Sequence, residues 1–522
     1  MSVAVPDDRT RARSLRRRVL AIVDDAGLPA RRHGMGWAYL AILALCLIAG
    51  AVSLRLPTTP NYDPWVWLIW GRELVHGHLS TAGGPTLKPL AMVFTTIVAP
   101  FGSAAPNMWV AIARAGIAAA TTLSFLLTAR LSLSAASALP RGAAIAVAGL
   151  AGIAAAGGVL LLQSFIYVAA QGYSEGLLLT VVLLAVLRHL DGAVRQTQAL
   201  LFAASLDRPE MWALFIVYGL WLWRADPGAR RLIGVLAALI LPIWLLPDLI
   251  SSGSLLRGAE YASYPRGAGT TACPFCSEVA NYEWPLVRLP FRIGVALALV
   301  PAMAAAPPSR SGRARPRSER RLDVCVGVLF VAALVLFAED AVLTELKFSG
   351  NGRYLFPAAC LTIVVGMVGW ARGTGWAFAL AARFAGRLAA WAAAAVVAAA
   401  AVAAIVPSAV DAFAALPATW AGLRFQADVR HDVAAAIARA GGAGRLKSCG
   451  TVQTNTQLAP VVAWNLHETI GAAEATQGRV IIQGKANANA RRFPWIPWIP
   501  RSLGWHVVAT AGSVKIATRC HR

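Results

Sequence analysis

Residues 37–56 read WAYLAILALCLIAGAVSLRL, twenty positions with no charge until Arg55 near their end. A helix of that length crosses the hydrocarbon core of a bilayer, roughly 30 Å thick. The flank before it is long and basic, and no small-residue cleavage site follows, so it reads as a retained span and not as a signal peptide. Working outward, similar runs recur near residues 108–130, 143–163, 172–190, 197–206, 209–223, 231–250, 290–307, 322–340, 354–371 and 388–406. The pattern is that of an all-α polytopic membrane protein with about 11 transmembrane helices. Residues 197–206 are too few to cross, and are expected to form a tilted or half-buried helix packed on the next one.

Composition agrees. Apolar residues make up 57% and charged residues 14%, and the mean hydropathy is +0.59; a soluble domain carries about a quarter charged residues. The net charge of +23 is concentrated in arginine-rich segments that alternate with the apolar runs: Arg9 to Arg32, Arg130 to Arg141, Arg188 to Arg195, Arg224 to Arg231, Arg310 to Arg321 and Arg372 to Arg387. Basic connections on one side follow the positive-inside rule. The charge therefore reads as topology and contact with anionic membrane lipids, with no nucleic-acid partner. Residues 1–36 become a basic cytoplasmic segment, residues 37–406 the membrane domain, and the outer segments are 57–107, 163–171, 251–289, 340–353 and everything past Pro407, on a cytoplasmic (inner) membrane. The loop Pro307 to Arg321 reads as disordered.

Residues 407–522 read as a small extracytoplasmic α/β domain. Ala427 to Ala440 is expected to be an amphipathic helix ended by Gly441-Gly442. Leu446 to Val452 and Arg479 to Gln483 are expected as strands, and Trp505 to Arg519 as a hairpin turning near Gly512-Ser513. Cys449 on the first strand and Cys520 on the last then suit a disulfide. Cys273-Pro274-Phe275-Cys276, in the third outer loop, has redox-motif spacing without a βαβ context, and reads as a local disulfide. Cys46, Cys325 and Cys360 lie in spans as apolar filler. Pro494-Trp495-Ile496-Pro497-Trp498-Ile499-Pro500 is unsuited to a sheet. It reads as an extended loop resting at the headgroup layer, with a lid over the active cavity as the alternative.

Ionisable residues at the outer ends of spans are candidates for chemistry, because inserting them is costly. The first outer loop opens Asn61-Tyr62-Asp63-Pro64-Trp65-Val66-Trp67, which puts an acid at the bilayer surface, flanked by tryptophans that suit a headgroup or a sugar ring. Lys88-Pro89-Leu90 starts a second apolar stretch, Leu90 to Phe101, too short to span and expected to lie along the membrane. Tyr173 and Glu175 stand at the start of the fourth span, Arg208 and Glu210 at the tip of the short fifth, and Arg353-Tyr354 before the tenth. Arg114, inside the second span, reads as structural, and His76 and His78 read as solvated loop residues. No metal ligand set is assigned and no cofactor is certain, a divalent metal being only weakly supported.

The order of these features resembles the GT-C superfamily of polyprenyl-phosphate-sugar-dependent membrane glycosyltransferases, which includes aminoarabinose transferases and protein O-mannosyltransferases. It also resembles a divergent bacterial branch with Tyr-Asp-Pro-Trp and Gly-Tyr-Ser-Glu-Gly motifs. The resemblance covers about residues 37–370. It implies that Asp63 corresponds to the catalytic acid, Glu175 to a second cavity acid, Lys88 to a basic residue near the donor phosphate, and Arg353 to a late phosphate-side arginine. Asp63 lacks the doubled acid common in relatives, and Arg208-Pro209-Glu210 replaces a Thr-Lys-Gly step. Tyr173, Glu210, Tyr354 and Trp65 complete the expected substrate-binding set. The expected partners are a polyprenyl-phosphate sugar and a cell-envelope glycan, lipid or protein acceptor. Two other readings remain: a transporter or flippase of lipid-linked saccharides, though no duplicated half is visible, and a catalytically inactive scaffold.

Overall fold

The computed structural model describes residues 35–264, 267–282, 286–304, 317–473, 478–484 and 504–520. The basic N-terminal segment, most of the loop after Pro307 and the Pro494–Pro500 tandem fall outside these residues.

Apolar runs became helices where they were expected. In chain order the first part contains α1 (Met35–Val52), α2 (Tyr62–Val75), α3 (Pro89–Val98), α4 (Ala105–Ala135), α5 (Arg141–Leu160) and α6 (Phe165–Ala170). There follow α7 (Glu175–Leu190), α8 (Val194–Ser205), α9 (Met211–Ala225), α10 (Arg230–Ser252), α11 (Arg257–Ala262), α12 (Pro274–Asn281), α13 (Leu289–Ala304), α14 (Arg317–Glu345), α15 (Phe356–Phe384) and α16 (Gly386–Ala403). Among the described residues, seven helical stretches are long and apolar enough to cross a membrane, and two shorter apolar helices, Met211–Ala225 and Leu289–Val300, accompany them. The chain is a polytopic helical membrane protein. At 12 residues α8 reaches about 18 Å, and it packs between α7, α9 and α10.

The bundle is organised around α15, whose apolar window is 89% buried. Small residues permit this. Gly366 and Gly369 of α15 face Phe291 and Gly294 of α13 so closely that a Cβ on any of the three glycines would overlap a carbonyl oxygen of the opposite helix. Contact between backbones replaces the hydrophobic driving force that lipid does not supply. Proline occupies the first turns of α3, α4 and α15, where its missing N–H leaves no intrahelical bond unmade.

After the bundle, α17 (Val406–Arg439) is a single 34-residue helix, so the expected Ala427–Ala440 helix is only its far end. Gly441 and Gly442, at φ 96° and 85°, terminate it. The region that follows is α18 (Gly442–Cys449), β1 (Val452–Thr454), α19 (Ala459–Leu466), α20 (Ile470–Ala473), β2 (Val480–Gly484), β3 (His506–Ala511) and β4 (Val514–Thr518). The sheet order is β1-β2-β4-β3, with β1 parallel to β2 and the other pairs antiparallel. One expectation is corrected here: residues 446–449 are helical, and only Val452–Thr454 is strand. Along Gly442–Cys449 only Leu446 is buried, so the alternation a strand needs is missing. Cys449 thus ends a helix, and it is bonded to Cys520 just past β4; Cys273 is bonded to Cys276. The hairpin turn is held by Asp432 of α17, which accepts from the backbone N–H and the hydroxyl of Ser513.

This C-terminal region shares one core with the first outer loop. Val66, Trp70, Leu87 and Met92 belong to the same buried cluster as Val433, Val462, Ile470, Val480 and Ile516. α2 is buried from Pro64 to Gly71 because α3 lies on one side of it and α19 on another. Arg72 fastens the contact, donating to the carbonyls of Trp464 and Glu468, each at 3.0 Å.

Candidate active site

Five separate pieces of chain deliver charged side chains to one place. Asp63 sits in the first turn of α2, whose N-cap Asn61 accepts from the N–H of Tyr62 at 2.7 Å. Lys88 immediately precedes Pro89 at the start of α3. Glu175 is the first residue of α7, where the positive end of the helix dipole favours a carboxylate. Asp207, Arg208 and Glu210 occupy the turn between α8 and α9, joined to the first loop by the Leu90 N–H donating to Leu206 O at 2.9 Å. Arg353 and Tyr354 lie in a short 3-10 turn, Gly352–Leu355, before α15.

Arg353 joins these pieces. Its Nη2 donates to Asp63 Oδ2 at 2.9 Å, and its Nη1 lies 3.6 Å from Glu175 Oε1. Arg208 donates to the same Glu175 oxygen at 2.8 Å, and its Nη1 is 3.6 Å from Glu210. Lys88 Nζ donates to Ser174 Oγ at 3.0 Å and stands 3.8 Å from Asp207 and 4.0 Å from Glu175. Aromatic faces close the gaps. Arg208 lies over Tyr354 and Arg353 over Tyr173, each at 4.1 Å from the ring centroid, and Lys88 is 5.3 Å from Trp67. Glu175, Asp207 and Arg208 are each at most 4% exposed. Charges this deep persist only when paired.

Every charged residue expected for the site lies within this network, together with Tyr173 and Tyr354. Trp65 takes no part in it: its ring packs on Trp464 at 5.8 Å, beneath Arg430 at 5.3 Å. Trp67 is the tryptophan beside the lysine. Arg114 donates to the backbone carbonyls of Ser53, Pro57 and Ala170, tying the end of the first span to α4. His76 and His78 are exposed at the end of α2. Among the described residues no group of three or more His, Cys, Asp or Glu is placed to hold a metal ion.

Two members were missed by sequence reasoning. Asp207 directly precedes Arg208 in the sequence Leu206-Asp207-Arg208-Pro209-Glu210, and nothing in the order of letters says which of the three charges turns inward. Ser174, between Lys88 and Asp207, donates to Asp207 at 3.2 Å and carries no sequence signal of its own. Behind Asp63 runs an amide chain that was also not foreseen. Asn61 donates to Gln171, Gln171 to Gln426 of α17 at 2.8 Å, and Gln426 to the Tyr167 hydroxyl at 3.3 Å.

Three cations thus meet four carboxylates in a buried, aromatic-lined pocket beside α2. Such a set can move a proton at a carboxylate while holding an anionic oxygen nearby. Near the far end of α2, burial pushes the Glu73 carboxyl up to about 7, against the hydrogen bond from the Ser80 N–H and the nearby Arg72 charge.

No family model matches the sequence, and no curated protein does. Two crystal structures of ArnT from Cupriavidus metallidurans are similar to the chain, each at 14% identity. The structure in the apo state covers 94% of this chain and 99% of that one at a TM-score of 0.49. The structure bound to undecaprenyl phosphate covers 93% and 98% at 0.48.

Proposed function

We infer that this protein is a membrane glycosyltransferase of the GT-C kind. It moves a sugar from a polyprenyl-phosphate donor to an acceptor at the outer face of the cytoplasmic membrane. In this reading the N-terminus is cytoplasmic and the C-terminal region extracytoplasmic. The observation that carries the reading is Arg353, shared between Asp63 and Glu175 and flanked by Arg208 and Lys88. A transporter needs a path for its substrate. A cluster of this composition has instead the parts of a group transfer: bases for a hydroxyl proton and cations for a departing phosphate.

Asp63 takes the proton from the acceptor hydroxyl as general base. The hydroxyl oxygen bonds to the anomeric carbon as the bond from that carbon to the donor phosphate breaks. The polyprenyl phosphate leaves with the bonding electron pair, and its charge is met by Lys88, Arg208 and Arg353. Glu175 orients the acceptor and holds two of the arginines. A single direct displacement inverts the anomeric configuration.

Inverted membrane vesicles loaded with radiolabelled polyprenyl-phosphate sugar test this reading. Label transferred to an acceptor by the wild type, and not by Asp63→Asn, is the expected result. Label that crosses the membrane without transfer would make the protein a flippase, and neither event would make it a scaffold.

A further inference from the structure

Lys88 enters the charged network from an irregular stretch of chain. Between Val75, the end of α2, and Pro89, the start of α3, there is no helix or strand. Gly83-Gly84 lends the stretch little stiffness of its own. On its far side Lys88 is held by α3, whose Leu90 N–H donates to Leu206 O. On its near side the hold comes from a distant part of the sequence.

That hold is a strap made by α11 and the end of α10. Arg257 donates through Nη1 to Pro85 O at 2.6 Å and through Nη2 to Gly84 O. Thr86 Oγ1 answers from the loop, donating to Gly258 O at 2.9 Å. The Gly258 N–H donates in turn to Oδ2 of Asp248, a buried carboxylate of α10, at 3.1 Å. A Cβ on Gly258 would stand 3.1 Å from that oxygen and 3.2 Å from the Thr86 methyl, so three pieces of chain meet there. Further back, the Thr81 N–H donates to Ser251 Oγ at 3.2 Å, and the two hydroxyls lie 2.7 Å apart. Gly84 fits the strap to α2: its φ is 84°, and a Cβ there would lie 2.8 Å from Val66 Cγ1.

We propose that Arg257 is a positioning residue for Lys88. Its planar fork meets two successive carbonyls at once, which the point charge of a lysine does not. The bonds are charge-assisted, and so stronger than those a neutral side chain would make. Lys88 follows Pro85 by three positions, and its Nζ stands 3.0 Å from Ser174 Oγ, 3.8 Å from Asp207 and 4.0 Å from Glu175. Slack at the strap moves that ammonium group, and a displacement of about 1 Å at a reacting centre costs up to about 100-fold. The proposal rests on the glycosyltransferase reading, from which it takes Lys88 as a cation for the donor phosphate. It adds the third outer loop as the element that aims this lysine. A strap that only stabilised the loop would lower the melting temperature without any link to Lys88.

A double-mutant cycle on the full chain in phospholipid nanodiscs separates the two roles. The probe is undecaprenyl phosphate, a leaving group of the proposed reaction, with binding read by native mass spectrometry. Arg257→Ala is expected to weaken binding about tenfold, the effect of one lost charged hydrogen bond. Lys88→Ala should weaken it at least as much, and the double variant should match Lys88→Ala within about twofold. Thr86→Val, which opens the strap from the other side, replaces Arg257→Ala in the cycle if that variant melts early. No binding by the wild type, wild-type binding in either single variant, or losses that add in the pair would overturn the proposal. In the vesicle assay the same cycle is read as kcat/KM for the donor. Coupled binding losses without transfer from any donor keep the strap and remove the transferase. Transfer that Asp63→Asn abolishes, together with additive binding losses, keeps the transferase and removes the strap.

Discussion

Arg353 and Asp63 stand 290 positions apart in sequence and 2.9 Å apart in space. With Asp63 as the proposed general base, the pair predicts an order of events at the site. A carboxylate that holds an arginine is a poorer base than a free one, and a phosphate entering the pocket competes for that arginine. Donor binding is therefore expected to free Asp63 for the acceptor proton. Steady-state kinetics should show the donor binding first, and Arg353→Ala should lower transfer by at least 100-fold. The same substitution takes the cation from Asp63, while Glu175 keeps Arg208 and Lys88; losing a charged hydrogen bond at a half-buried pair costs about 1–3 kcal/mol. Restoring neutrality with Asp63→Asn in the Arg353→Ala background should recover part of the melting temperature and none of the activity.

In the proposed reaction Asp63 is positioned by residues outside the charged network. The amide chain from Gln426 through Gln171 to Asn61 fixes the first turn of α2. Gln426→Leu should leave the donor KM unchanged and lower kcat about threefold to tenfold, the effect of about 1 kcal/mol lost at one hydrogen bond. Gln426→Asn, which keeps the amide on a shorter stem, should recover less than half of that loss. An unchanged kcat in Gln426→Leu would show that α17 does not position the acid.

Much of this arrangement was legible before any coordinates. The spacing of the apolar runs predicts one side for the charges at their ends, and Glu175, Arg208 and Arg353 do meet in one network. Direction was not legible. Asp207 and Glu210 flank the same arginine, and only the fold shows the first wholly buried and the second at the edge. Trp65 and Trp67 alternate along α2, so the choice of which faces Lys88 depends on how α19 packs, about 400 residues downstream. Leu446 to Val452 reads as a strand in the sequence, although residues 446–449 are the end of a helix, because a short segment with a single buried leucine has no period to measure.

Two carboxyls outside the spans report on pH. Burial raises Glu73 and Glu278 from an ordinary 4.5 to about 7. Both oxygens of Glu278 lack a hydrogen-bond partner, as does one of Glu73. The unfolded chain releases these protons near pH 4.5 while the folded one keeps them, so between about 4.5 and 7 the folded state binds more protons. Its stability falls as pH rises through that window and levels off above it. Thermal melting from pH 5 to 8 should show the gap between wild type and the Glu73→Gln/Glu278→Gln double variant widening up to about pH 7. Parallel curves would mean that both acids are ionised throughout.

The disulfide Cys449–Cys520 closes a loop of 71 residues around the C-terminal sheet. Constraining a loop of that length stabilises a fold by about 4 kcal/mol in the chain-entropy account. Here the consequence reaches the membrane site, because the sheet shares its core with α2 and Arg72 of that helix donates to Trp464 and Glu468. Cys449→Ser/Cys520→Ser should therefore lower the melting temperature and slow transfer together, and Arg72→Ala should do the same with the disulfide intact. Limited proteolysis should cut both variants first within the C-terminal region. If that region were cut while transfer continued at the wild-type rate, the sheet would be a passenger on α2, and the rigidity of Asp63 would have to come from the bundle alone.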